Sequence, residues 1–129
     1  MRLFIDANIL FTAAYSPNGR AWLLLDSGLD LISSAYAVEE ARKNIQRKKP
    51  SAQTNLDHIV NKFRIVPTVY GTCPIELPEK DKPIFLSALA ARATHLITGD
   101  LKDFGPHMNQ SHVTCGVVIQ SVADFLSSL

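Results

Sequence analysis

Apolar positions in this chain recur at two spacings, and the changes between them divide it into short elements. Arg2 to Ile5 is a β-prone run that closes on Asp6-Ala7-Asn8, after which Ile9, Leu10 and Phe11 resume the apolar character. This predicts a central strand that delivers Asp6 to the edge of a sheet. Ser16-Pro17-Asn18-Gly19 signals a turn or helix start, and Ala21 to Leu25 predicts a helix ending near Ser27-Gly28. Leu29 to Ser33 reads as a strand. Ser34 is suited to cap a helix running through Tyr36, Val38, Glu39, Glu40, Ala41 and Ile45 to Arg47-Lys48-Lys49, with Pro50 as its stop. A helix from Ser51 to about Phe63 and a strand from Ile65 to Val69 follow, and Gly71, Pro74 and Pro78 make positions 70 to 80 a loop.

From Asp81 to Asp103 the chain opens and closes on carboxylates around an apolar middle. Ile84, Phe85, Ala88, Leu89 and Ala91 keep the spacing of a buried helix face, and Pro83 fits only a first helical turn, so a helix begins at Asp81 or Lys82 with Asp81 able to cap it. Leu96 to Thr98 is a short strand stopped by Gly99-Asp100. Positions 104 to 112 are polar and irregular, Val113 to Ile119 is a strand broken at Cys115-Gly116, and Val122 to Leu129 is a closing helix. The order β-α-β-α-α-β-α-β-β-α, with short connections, predicts one α/β domain with a mostly parallel, Rossmann-like sheet and helices on both faces.

Composition agrees with one packed domain: 129 residues, 47% hydrophobic and 19% charged, exclude a disordered chain. No apolar run approaches the roughly 20 residues of a membrane span, and the first strand meets Asp6 instead of a signal-peptide core, so a cytoplasmic location away from membranes is expected. Cys73 and Cys115 have neither zinc-site spacing nor a disulfide framework. The net charge of +1 hides a local excess, seven Arg or Lys against three acids between positions 36 and 64, that suits a polyanion.

The chemistry lies in the carboxylates. A helix of about 11 residues rises roughly 17 Å, and a return through a tight turn and a strand of about five residues covers ~16 Å, which brings Asp81 and Asp100 to one level. In a parallel α/β sheet that level is the usual ligand crevice. Asp6 reaches it from the first strand and Asp103 lies just beyond Asp100. Glu40 sits roughly 9 Å down its helix but leans back toward the N-terminus. Singly, Asp6 and Asp100 serve equally as turn residues, Asp81 as a cap, and Glu39 or Glu40 as a solvated helix face. Together they repel by on the order of 4 kcal/mol per pair at ~4 Å and an effective dielectric near 20, so a cation belongs among them. An all-oxygen donor set suits Mg²⁺ or Mn²⁺, with phosphodiester hydrolysis as the matching reaction and Asn8 and Thr98 orienting ligands or water.

These residues resemble the PIN-domain family, metal-dependent nucleases that include the toxin halves of VapC-type toxin–antitoxin pairs. Phe4-Ile5-Asp6-Ala7-Asn8-Ile9-Leu10 matches the opening motif, and Glu40, with Ile45 five places on, matches the second acid better than Glu39 does. Asp81, Ala88, Thr98 and Asp100, followed by Asp103 and Phe104, fall in the register of the third and fourth acids, while Gly116 to Ile119 and Ala123 to Leu126 look like the last strand and helix. Thr94 departs from the pattern, standing where members often carry another acid. The resemblance implies an Mg²⁺- or Mn²⁺-dependent endoribonuclease with Asp6, Glu40, Asp81 and Asp100 as its acidic site, Asp103 as an auxiliary acid, RNA as substrate, and an antitoxin and a second copy as partners. Two other readings stand beside it. One is a haloacid-dehalogenase-like phosphatase, although Asn8 occupies the place of its second aspartate. The other is a non-catalytic RNA-binding or regulatory domain that retains an acidic pocket and grips phosphates through Arg42 to Lys49.

Overall fold

Leu3, Phe4 and Ile5 are consecutive and fully buried. Successive strand residues face opposite ways, so the strand they form, β1 (Arg2–Ile5), is covered on both faces of its sheet. A computed structural model describes all of Met1–Leu129. Around β1 it arranges β2 (Asp30–Ser34), β3 (Arg64–Val66), β4 (His95–Ile97) and β5 (Val118–Gln120) in the order β3-β2-β1-β4-β5, with every pairing parallel. Phe4 pairs with Ile32 on one side and Leu96 on the other. The helices are α1 (Ala7–Tyr15), α2 (Arg20–Leu25), α3 (Ala35–Lys48), α4 (Gln53–Val60), α5 (Lys82–Ala90), α6 (Leu101–Phe104) and α7 (Val122–Ser127). Phe85, Phe104 and Phe125 from three of them join the strands in one core.

The parallel α/β architecture expected from the sequence is therefore the one observed. The chain builds β2 and β3 to one side of β1 and then crosses to place β4 and β5 on the other. The order reverses between β1 and β4, and a crevice opens outside the carboxyl ends of strands at such a point. Asp6 and Asp100 follow those two strands.

Local differences from the sequence reading have identifiable causes. Helix α1, absent from the expected order, starts directly after β1 because Asp6 ends the strand and caps the helix, its Oδ1 accepting from the Ala7 amide at 2.7 Å. Strand β3 stops before Pro67, which has no N–H to give to a ladder. The strand expected over Val113 to Ile119 shrinks to β5 because Cys115 (φ 56°) and Gly116 (φ 87°) turn the chain through left-handed conformations. The polar stretch after Asp100 is partly ordered as α6 and a 3-10 turn at Gly105–His107. Ser34 caps α3 as expected, accepting from the Ala37 amide at 3.2 Å. At the other end of α3, Lys48 and Lys49 lie over the rings of Phe11 and Tyr15, 5.4 and 4.6 Å from the centroids, and tie α3 to α1.

Candidate metal centre

Asp6 and Thr98 form the floor of the crevice. Both are buried, Asp6 to 4% exposure and Thr98 completely. The Thr98 hydroxyl donates to Asp6 Oδ2 at 2.8 Å and accepts from the Asp100 amide at 3.1 Å. Asn8 completes the lattice, its Nδ2 3.3 Å from both Asp6 Oδ2 and Thr98 Oγ1 and its Oδ1 accepting from the Gly99 amide at 2.8 Å. One hydroxyl and one amide thereby lock the ends of β1 and β4 together and fix the Asp6 carboxylate. Burial pushes the Asp6 carboxyl up, against the lowering effect of the bonds from Thr98 and Ala7.

Gly99 lies at the tightest point of this lattice. A Cβ there would stand 3.3 Å from Asn8 Oδ1. Were a divalent cation held above this lattice, Gly99→Ala would weaken its binding on the order of tenfold by shifting Asn8, as disturbed outer-shell partners do, with little change in melting temperature. Parallel calorimetric titration and thermal melting check both halves of this expectation.

Asp81, Asp100 and Asp103 face one another above that floor, with one oxygen from each within 4.8 Å of the others. Asp100 caps α6, its Oδ1 accepting from the Asp103 amide at 3.0 Å, which holds Asp103 one turn away and on the same side. Asp81 precedes α5, yet its side chain makes no capping bond. The expectation that it can cap the helix is thus corrected, and the carboxylate is left for the crevice. It is only 6% exposed, and its Oδ2 is buried without a hydrogen-bond partner. Burial first, and then the Asp103 carboxyl beside it, push Asp81 up to about 7. The neighbouring Asp81 carboxyl, followed by Lys80, holds Asp103 below the ordinary carboxylate range.

The sequence-predicted acids converge unequally. Asp6, Glu40, Asp81 and Asp100 line one crevice of about 410 Å³ with Asn8, and Thr98 lies beneath it. Glu39 is not among its lining residues. Asp81, Asp100 and Asp103 form the tight group, whereas Glu40 is exposed and makes no hydrogen bond or ion pair across the crevice. Thr94 lies at the opposite edge of the sheet, where its hydroxyl accepts from the Arg2 amide at 2.9 Å, so the missing acid there leaves the crevice untouched. Sequence reasoning missed Lys80, whose Nζ is 3.1 Å from Asp103, 3.7 Å from Asp81 and 3.8 Å from Asp100. It missed Tyr36 as well, which lines the crevice and donates from its hydroxyl to the Lys80 carbonyl at 2.8 Å. The signal for Lys80 was its position next to Asp81 together with the need for a cation.

A buried carboxylate oxygen without a partner, beside two further carboxylates, is a hard-oxygen donor set with unspent capacity, and it fits a divalent cation of the Mg²⁺ or Mn²⁺ type. In shape, the protein is similar to a chain of VapBC2 from Rickettsia felis solved bound to a DNA fragment from their promoter. The TM-score is 0.67 at 18% identity, over 94% of this chain and 98% of that one. It is also similar to a chain of VapBC-1 from nontypeable Haemophilus influenzae, with a TM-score of 0.61 at 14% identity over 95% and 99% of the two chains. The fold is of the PIN-domain type. No family model matches the chain, and no curated protein is similar to it in sequence. At these identities the likeness is one of fold, and the PIN-type fold accounts for why Asp6 and Asp100 end neighbouring strands at the reversal point. No helix in it is long and apolar enough to cross a membrane.

Proposed function

We propose that this protein is a metal-dependent endoribonuclease of the PIN-domain type that hydrolyses RNA phosphodiester bonds with Mg²⁺ or Mn²⁺ held by Asp6, Asp81 and Asp100. Asp103 and Glu40 supply auxiliary oxygens. The observation that carries this reading is the unpartnered Asp81 Oδ2, buried among carboxylates at the strand-order reversal. When bound, a divalent cation offsets the anionic phosphate and makes a water more acidic. The chain's own groups do the rest. Thr98 and Asn8 hold Asp6 in one orientation, Asp100 keeps Asp103 in reach through its cap, and Glu40, exposed at the mouth, is free to orient the attacking water or accept its proton.

The fold shared with VapBC chains and the motif resemblance together support the role of toxin in a toxin–antitoxin pair acting in the cytoplasm, with an antitoxin protein and a second copy of the chain as partners. The phosphatase alternative fares worse, because Asn8 spends both ends of its amide on Asp6, Thr98 and Gly99 and has no proton to lose as a general acid. The non-catalytic alternative relies on Arg42 to Lys49, of which Arg42 is paired with Asp57, Arg47 is bonded to Asn44, and Lys48 and Lys49 lie over Phe11 and Tyr15.

The test is incubation of the purified protein with structured and single-stranded RNA, with and without Mg²⁺ or Mn²⁺, beside Asp6→Asn and Asp100→Asn. Wild type should cleave only with metal, and each variant should lose on the order of 100-fold or more in rate. Cleavage that needs no metal or survives both substitutions overturns the proposal.

A further inference from the structure

Charge around the crevice does not balance. Asp6, Glu40, Asp81, Asp100 and Asp103 face a single basic side chain, Lys80. Its neighbours in sequence are occupied or turned elsewhere: Lys82 is paired with Glu79, and Lys102 makes no ion pair with the cluster. The backbone of Lys80 is pinned, its carbonyl accepting from Tyr36 Oη at 2.8 Å and the next amide, that of Asp81, donating to the Pro78 carbonyl at 2.9 Å. Its side chain is instead 67% exposed, so a well-anchored stem carries an ammonium with open solvent on one side. That ammonium bonds Asp103 at 3.1 Å but stays 3.7 Å from Asp81 Oδ2, too far for a hydrogen bond. Lys80 neutralises the cluster only in part and leaves the buried Asp81 Oδ2 unserved.

We propose that Lys80 is the built-in counter-ion of the acidic cluster, which a divalent cation must displace, and that the displaced ammonium then serves as a positioning group for the anionic oxygens of the incoming phosphodiester. The inference rests on the metal-dependent reading above and goes beyond it by assigning a role to a residue outside the acidic set. Two consequences are measurable. Removing the ammonium at constant side-chain length frees three carboxylates for the metal, so metal binds more tightly. The same change takes a cation away from the phosphate, so RNA binds more weakly. A residue that merely supports the fold would move neither quantity in this opposed way.

The experiment is calorimetric titration of Mn²⁺ into wild type, Lys80→Met, Lys80→Arg and the control Lys82→Met, paired with the KM and kcat for cleavage of a single-stranded RNA at saturating Mn²⁺. Lys80→Met should bind Mn²⁺ on the order of tenfold more tightly while its KM for RNA rises by a similar factor, as expected for loss of one close charge from each balance. Lys80→Arg should stay near wild type in both, and Lys82→Met should be unchanged. Equal or weaker Mn²⁺ binding by Lys80→Met overturns the counter-ion role, and an unchanged KM overturns the positioning role, while the metal-site reading survives either result. If wild type and Lys80→Met both fail to bind Mn²⁺, the counter-ion role and the metal-site reading fall together.

Discussion

Asp81→Asn should abolish RNA cleavage and, in the absence of metal, raise the melting temperature. The two effects share one cause. Asp81 is nearly buried beside Asp103, and its carboxyl is pushed from 3.8 to about 7, so the fold opposes its ionisation. Well below 3.8, its ordinary value, the group is protonated in both folded and unfolded chains and has no effect on stability. As pH rises from there to about 7, the unfolded chain releases its proton first and the folded state loses ground, and above about 7 the full penalty remains. A shift of this size corresponds to a ceiling of about 4 kcal/mol at ~1.4 kcal/mol per pKa unit. The crevice opens to solvent, which screens part of it, so the amide should stabilise metal-free protein by about 1 to 3 kcal/mol at pH 8, worth several degrees. At pH 3 wild type and variant should melt together. Thermal melts at both pH values in chelator check this, and a variant that melts lower than wild type at pH 8 would contradict it. The same sign makes Mn²⁺ affinity in wild type rise with pH through about 7, because the cation competes with the Asp81 proton.

Thr98→Val should be the most damaging substitution without a change of charge. Valine keeps the shape but removes a hydroxyl that donates to Asp6 Oδ2 and accepts from the Asp100 amide and Asn8 Nδ2. Each abandoned buried partner costs about 1 to 3 kcal/mol, so a total loss of about 2 to 4 kcal/mol is expected, with a fall in melting temperature on the order of 10 °C. Cleavage should drop on the order of 10- to 100-fold even below the melting range, since Asp6 is no longer oriented. Thr98→Ser keeps the hydroxyl and should recover most of both. A serine variant as damaged as the valine variant would show that the methyl group, not the hydrogen-bond lattice, matters at this position.

What could be read from the amino-acid order depended on how local each cause is. The meeting of Asp81 with Asp100 was legible because helix rise and strand rise are nearly constant, and the observed oxygens lie within 4.8 Å of each other with Asp103. The parallel sheet was legible from strand patterns alternating with helix patterns over short connections, and from the wholly apolar run Leu3-Phe4-Ile5. Helix α1 was not, because its N-cap, Asp6, directly follows the last residue of β1, and no further turn residue separates the two. The short β5 was not, because a left-handed Cys115 is not marked by residue type as Gly116 is. Glu39 and Glu40 differ only in rotation about one helix, which places Glu40 on the crevice. Lys80 escaped for a related reason: the reach of a long side chain over three carboxylates is set by the loop before α5, not by spacing.

The carboxylates that follow β1 and β4, with Asp81, are the proposed divalent-metal centre. Anomalous diffraction from crystals grown with Mn²⁺ tests this most directly. The predicted result is a strong anomalous peak bounded by Asp6, Asp81 and Asp100, with the Lys80 ammonium moved off the cluster. Crystals that show no peak there at saturating Mn²⁺, with Lys80 still bridging Asp81, Asp100 and Asp103, would contradict it.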